Sequence, residues 1–147
     1  MEATIDDAEV RRVLGELASR GSDLSEPMDT IAGYLEDETR TRFLVYQTSP
    51  DGVPWKPSRR ALRTAGGKTL VDTEVLLDSL TSTSSADEAV VGVASPYAFI
   101  HQVGGNAGRG GKSPIPARPY LGVSAEDERQ IYAIIEDYIA DVPGVTR

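Results

Sequence analysis

The residues of this chain that could do chemistry are few, and each sits in a context that limits it. Asn106-Ala107-Gly108-Arg109-Gly110-Gly111-Lys112-Ser113 is one residue short of a phosphate-cradling loop, with Asn106 where a glycine is needed. Such a loop aims backbone N–H groups and a helix N-terminus at phosphate, so it needs a strand before it and a helix after it. Pro114 and Pro116 block that helix. The segment reads as a Gly-rich connection carrying two cations, Arg109 and Lys112. The alternative from another class is a phosphate- or nucleotide-binding enzyme that uses residues 105–113. His101, the single histidine, lacks the further His or clustered carboxylates that a metal site requires. Gly122-Val123-Ser124-Ala125-Glu126 lacks the final glycine of a nucleophile elbow. The paired acids Glu36-Asp37-Glu38 and Glu136-Asp137 fall on polar helix faces, without the burial that would separate two carboxyl pKa values. With no Cys there is no thiolate nucleophile, disulfide or Cys-ligated metal. The expectation is a protein that is not an enzyme, with no catalytic residue, cofactor or metal. What remains is a loose basic cluster, Arg59, Arg60, Arg63 and Lys68, beside Trp55, the only Trp. It suits either phosphates and stacked bases or docking on an acidic protein surface.

The elements that must position these residues follow from hydrophobic spacing. Val10, Val13, Leu14, Leu17 and Ala18 predict a helix over about 6–20. Ser25 as N-cap, Pro27, and then Met28, Ile31, Leu35 and Phe43 predict a second over about 25–46, the two forming a hairpin. Residues 48–68 are dense in Pro and Gly and read as one long loop with Trp55 in its middle. A sheet is expected over about 69–123, with strands near Leu70-Val71 and a hairpin from Leu80–Ser84 to Ala89–Val93. Ser95-Pro96 reads as the opening of a short helix to His101, Gly104–Lys112 as a loop, and Pro116–Val123 as extended. Ser124-x-x-Asp127 resembles a capping box, and Ile131, Ile134, Ile135, Tyr138 and Val142 predict a C-terminal helix over about 125–141. The whole, 1–147, reads as a single α+β domain.

A chain of 147 residues with 39% hydrophobic and 26% charged residues has the composition of a globular protein able to bury a core. The formal charge of −8 argues against general nucleic-acid binding. It is not evenly spread: residues 49–72 hold five bases and two acids, and residues 97–122 hold three bases and no acid, while the helical regions are acidic. No apolar run approaches a membrane span, and the acidic N-terminus does not look like a signal peptide, so a soluble protein made in the cytoplasm is expected.

Three blocks, in order, resemble the phage virion morphogenesis, or tail completion, family of tailed bacteriophages. The first is Arg42-Phe43 followed by Ser49-Pro50-Asp51-Gly52-Val53-Pro54-Trp55-Lys56-Pro57. The second is Leu70-Val71-Asp72-Thr73 through Leu77-Asp78-Ser79-Leu80, in which Glu74 stands where the family usually has Gly. The third, and most specific, is Tyr97-Ala98-Phe99-Ile100-His101-Gln102-Val103-Gly104-Gly105 with Ile115-Pro116-Ala117-Arg118-Pro119-Tyr120-Leu121-Gly122-Val123-Ser124. Together they span roughly residues 42–124.

The resemblance implies a structural protein of the virion neck, assembled in the bacterial host cytoplasm. Its role would be that of a tail terminator: a ring, commonly of six subunits, that caps the tail tube and joins it to the head-side connector. The alternative is a head-completion protein on the head side of the neck. Expected partners are further copies of the chain, the tail tube protein, the head-side connector or adaptor, and the sheath protein if the tail contracts. DNA would pass through an acidic lumen without sequence-specific binding. Candidate assembly residues are Trp55, Arg59, Arg60, Arg63, Tyr97, His101, Gln102, Arg109, Lys112, Arg118 and Tyr120. Arg118 is expected to pair with a carboxylate of its own or a neighbouring chain, or else to be a surface arginine between turn prolines. Trp55 is expected to anchor the long loop in the core or in an adjacent subunit.

Overall fold

A carboxylate starts the first helix that can be followed. Asp23 Oδ1 accepts from the Ser25 N–H at 2.9 Å and from its hydroxyl at 2.6 Å, and α1 then runs Ser25–Thr41. Ser25, expected as the cap, is instead the first helical residue, because Asp23 already supplies the oxygen. The computed structural model describes residues 12, 15–16, 23–71 and 74–141, so the expected helix over about 6–20 lies almost wholly outside the described residues. The predicted stripe of α1 is buried: Pro27, Met28, Ile31, Ala32 and Leu35, joined by Thr39, whose hydroxyl bonds the Leu35 carbonyl at 2.7 Å. Beyond Thr41 the helix widens into a π turn, Arg42–Tyr46, ended by Gln47 in the left-handed region at φ 55° with its N–H on the Arg42 carbonyl at 2.7 Å. The expected span of 25–46 is therefore continuous but changes pitch. The wider turn faces Arg42 and Phe43 inward and leaves Leu44, Val45 and Tyr46 exposed.

The long segment 48–68 is more ordered than its composition predicts. A tight reversal bridges Thr48 to Pro54, and a short helix α2, Arg59–Arg63, is capped by Ser58, whose Oγ accepts from the Ala61 N–H at 3.1 Å. No strand forms at Leu70-Val71, since Leu70 has φ 67°, a left-handed value incompatible with an extended strand. Glu74 also sits left-handed, at φ 58° and ψ 4°, just before α3, Val75–Asp78. The turn thus keeps the geometry a glycine would favour, and Glu74 carries the strain.

The sheet expected over about 69–123 is two separate antiparallel hairpins. In the first, β1 (Leu80–Ser84) pairs with β2 (Ala89–Val93) from Leu80 opposite Val93 to Ser84 opposite Ala89. Alternation buries Leu80, Val91 and Val93 in the core. Polar contacts orient α1 on this hairpin: Arg40 Nη2 bonds Glu36 at 2.9 Å and the Leu80 carbonyl at 3.3 Å, and the Ser82 hydroxyl donates to Glu36 at 2.5 Å. Ser82 first, then Arg40, holds the Glu36 carboxyl below its ordinary range. A turn at Ser95, whose Oγ accepts from the Tyr97 N–H at 3.2 Å, precedes α4, Ala98–Val103, which begins two residues later than the expected start at Pro96. The second hairpin, β3 (Gly105–Ala107) with β4 (Ser113–Ile115), replaces the expected loop at Gly104–Lys112.

The last helix, α5, runs Ala125–Asp141 as the spacing predicts, with Ile131 and Ile135 buried. It lies antiparallel to α1: Tyr34 and Arg42 reach Asp127 at its start, and the Tyr138 hydroxyl near its end donates to the Asp23 carbonyl at 2.7 Å. The fold class is α+β. Among the described residues no helix is long and apolar enough to cross a membrane, and no group of His or acidic side chains could hold a metal ion.

Candidate assembly site

The site is built around a buried ion pair that joins the end of α1 to the distant stretch from Tyr120 to Asp127. Arg42 leaves the end of α1 on its apolar side, with 3% of its side chain exposed. Its Nη2 donates to Asp127 Oδ2 at 2.5 Å, and its Nη1 donates to the carbonyls of Tyr120 and Gly122, each at 3.1 Å. Asp127 is equally occupied. It forms the expected capping box, Ser124 N–H to Oδ2 at 2.8 Å and Asp127 N–H to Ser124 Oγ at 3.0 Å, while its Oδ1 accepts from the Tyr34 hydroxyl at 2.9 Å. A buried pair stabilises only when its remaining donors and acceptors find partners; here two carbonyls take Arg42 Nη1, and Ser124 N–H and the Tyr34 hydroxyl reach Asp127. Burial, and then Asp127, pushes the Tyr34 phenol above its ordinary range.

The segment held by Arg42 is also gripped from the side by α4. The Gln102 amide docks on the backbone like a short strand: Nε2 donates to the Leu121 carbonyl at 2.9 Å, and Oε1 accepts from the N–H groups of Tyr120 and Leu121 at 3.0 and 3.1 Å. Arg118 N–H bonds the His101 carbonyl at 2.8 Å, and the Tyr120 hydroxyl donates to the Ala98 carbonyl at 2.7 Å. Tyr120 has no exposed surface, and burial pushes its phenol up to about 12. Gly122 is required for packing: a Cβ there would lie 2.7 Å from Pro50 Cγ.

From the other side comes the long loop. Trp55 Nε1 donates to the Pro119 carbonyl at 2.7 Å, and Arg118 Nε donates to the Lys56 carbonyl at 2.7 Å. The rings of Trp55 and Tyr120 both pack on Phe43, with centroids 5.6 and 5.2 Å from it. Gln47 repeats the device of Gln102: its Oε1 accepts from the Thr69 N–H at 2.7 Å and its Nε2 donates to the Thr69 carbonyl at 3.1 Å. Two loops without regular structure are thus held by side-chain amides that imitate a strand partner.

The candidate residues fall into two groups. Trp55, Gln102, Arg118 and Tyr120 are internal braces. Trp55 anchors its loop in the core of its own chain, so the indole face that could stack on a base is covered. Arg118 is buried and meets a carbonyl, where a carboxylate partner or a surface position was expected. Pro119 and the Trp55 loop fold over it and bring that carbonyl within reach. His101 is half-buried with Nδ1 unpaired, and burial, then Arg118, holds its imidazole below the ordinary value. Arg59, Arg63, Arg109 and Lys112 are exposed, and Arg60 Nη2 bonds the Lys68 carbonyl at 2.5 Å. Residues 106–113 fold as a hairpin with no helix after it, so the geometry of a phosphate loop is not formed. Tyr97 is 60% exposed, next to Phe99 at 67% and Val103 at 50%; the π turn adds a second apolar surface, Leu44, Val45 and Tyr46.

Sequence reasoning missed Arg42, Asp127 and Gln47 as organisers and the exposed π turn as a surface. A signal was present for two of them. Arg42 falls on the apolar stripe of its helix seven residues after Leu35, and Asp127 precedes Ile131 and Ile135 at four-residue steps, so each is a charge at a core position.

The chain is 40% identical over 130 residues to the Mu-like prophage FluMu G protein 2 of Haemophilus influenzae, and the match covers 88% of both chains. No solved structure gives a significant match. A family model described as the phage virion morphogenesis family matches residues 5–140, which include the Arg42–Asp127 pair, the Trp55 loop and the Gln102 clasp. The chain belongs to the phage virion morphogenesis family.

Proposed function

We propose that this protein is a tail terminator: a ring, of six subunits in the simplest case, that caps the phage tail tube and joins it to the head-side connector. The observation that carries the reading is how the subunit uses its side chains. Trp55, Gln102, Arg118 and Tyr120 are spent on bracing loops, whereas large apolar side chains, Leu44, Val45 and Tyr46 with Tyr97, Phe99 and Val103, face outward. Exposed apolar surface on a braced scaffold suits protein–protein contact. Heterologous contacts between identical subunits close into a ring when the rotation permits. The further partners are the tail tube protein, the head-side connector and, in a contractile tail, the sheath protein. An acidic lumen would let DNA slide past without binding.

The test is a phage lacking this gene product, with negative-stain images of the lysate and mass photometry of the purified protein. Tails of uncontrolled length beside filled, tailless heads, and purified protein that forms rings or caps isolated tubes, are the expected results. Tails of normal length, with the defect confined to heads, would move the protein to the head side of the neck. Thermal stabilisation by ATP that Lys112→Ala abolishes would overturn the structural reading altogether.

A further inference from the structure

We propose that the β3–β4 hairpin is an arm whose Arg109 and Lys112 tip seats in an acidic groove between α1 and α5 of a second copy of this chain. The inference rests on the ring reading and names the contact that would build it. The arm is short, with Gly105 opposite Ile115 and Ala107 opposite Ser113, and every residue from Gly108 to Pro114 is exposed. Its tip is shaped rather than loose: Gly108, Gly110 and Gly111 all take left-handed φ values of 66° to 78°, and Gly111 N–H closes on the Gly108 carbonyl at 3.1 Å. Residues 97–122 contain no acid, and Arg118 is buried, so the exposed charge of this segment is the two cations at the tip. Neither has an ion-pair partner among the described residues.

The groove has the opposite character. It has a volume of about 440 Å³, a floor of Pro27, Ile134 and Tyr138, and a rim of Glu26, Asp137 and Asp141, with no base in its lining. That volume falls in the range of clefts that enclose a ligand-sized group, about 300–1,000 Å³. The three rim carboxylates also lack ion-pair partners among the described residues. Position makes the pairing intermolecular. The arm springs from the end of the subunit where Gln102 clasps Leu121 and Arg42 meets Asp127. The groove runs along α5 from Ile134 to Asp141, 7 to 14 residues beyond Asp127, which is about 10–21 Å at 1.5 Å per residue, and no residue of the arm lines it. One copy therefore offers a basic arm at one end and an acidic groove at the other, and successive copies join head to tail. Charge pairs of this kind fix register and speed encounter, while the apolar floor covers the stems of the two long side chains.

The chain has no cysteine, so disulfide trapping has no background. Subunits carrying Lys112→Cys and subunits carrying Asp137→Cys, mixed and oxidised, should give covalent dimers that neither gives alone. The double variant Lys112→Cys/Asp137→Cys should give a ladder ending at the closed ring. Arg109→Glu/Lys112→Glu should weaken ring formation about 100-fold, since like charges then face each other. Glu26→Lys/Asp137→Lys/Asp141→Lys subunits should restore assembly with that variant, and all of these exposed changes should leave the thermal melt near that of the parent. Rings that form normally in the arm-reversed variant, with no trapped dimer, would overturn the arm while leaving the ring reading in place. A trapped bond confined to single chains, or an arm-reversed variant that forms rings but no longer binds tail tubes, would overturn it equally. Wild-type protein that stays monomeric and never caps tubes would overturn the ring reading and the arm together.

Discussion

Replacing Arg42 by Met tests the centre of the brace. The guanidinium is 3% exposed and its partner carboxylate 1% exposed, so the variant leaves the Asp127 charge buried without its cation. Removing one side of a buried pair costs about 3–5 kcal/mol. The carbonyls of Tyr120 and Gly122 lose a donor as well, while Ser124 N–H and the Tyr34 hydroxyl still hold Asp127. These opposing effects set the expected loss at about 3–4 kcal/mol, a large share of the ~5–15 kcal/mol by which domains are stable. Urea unfolding followed by Trp55 fluorescence reads the loss as a lower midpoint. Asp127→Asn alone strands the guanidinium instead. The double variant Arg42→Met/Asp127→Asn removes both charges, and its loss should be about 1–3 kcal/mol smaller than the sum of the single losses. A cost for Arg42→Met below about 1 kcal/mol, the scale of an exposed pair, or strict additivity in the cycle, would refute the reasoning.

Glu74→Gly should stabilise the subunit by about 0.5–1 kcal/mol, the left-handed penalty less the extra chain entropy of glycine, and an unchanged urea midpoint would count against strain there. His101 has a folded pKa below its ordinary 6.5, so as pH falls below 6.5 the unfolded chain takes a proton that the folded one resists, and stability falls. His101→Gln should flatten the melting-temperature profile below about pH 6.5, and an identical slope in both proteins would remove His101 as its source. Trp55 is buried within one subunit, so its emission should already be blue-shifted in the monomer and shift little on assembly; a large blue shift only in rings would contradict its placement.

Elements whose information is local were legible in the sequence. The C-terminal helix was bounded correctly because Ser124 and Asp127 cap it within one turn and the isoleucine spacing is helical. The β1–β2 hairpin was readable from a run of Thr and Ser and a run rich in Val on either side of the acidic turn at Asp87-Glu88. The Gly-rich arm was not, because glycines that permit its tip also dilute any strand pattern, and pairing of Gly105 with Ile115 leaves no mark in either residue. Leu70-Val71 resembled a strand only by type; its backbone is fixed by the neighbouring Gln47–Thr69 clasp, which propensity does not encode. The site was half readable. The blocks that carry the resemblance did contain Trp55, Gln102, Arg118 and Tyr120, but their partners are backbone groups 18 to 64 residues away, and spacing says nothing about those.

The brace also orders events in time. Its bonds link residues far apart in the chain: 85 positions for Arg42 and Asp127, 64 for Trp55 and Pro119, and 62 for Arg118 and Lys56. At about 5–20 residues per second, a ribosome needs roughly 4–17 s to make the stretch between Arg42 and Asp127. Throughout that interval Phe43 and Trp55 lack the cover of Tyr120, and the π turn that presents Leu44, Val45 and Tyr46 has no counterion for its first residue. The outward face is therefore finished only when the chain through Asp127 has been released to close on itself. If subunits join as proposed, only chains whose synthesis has passed that point would present the finished face.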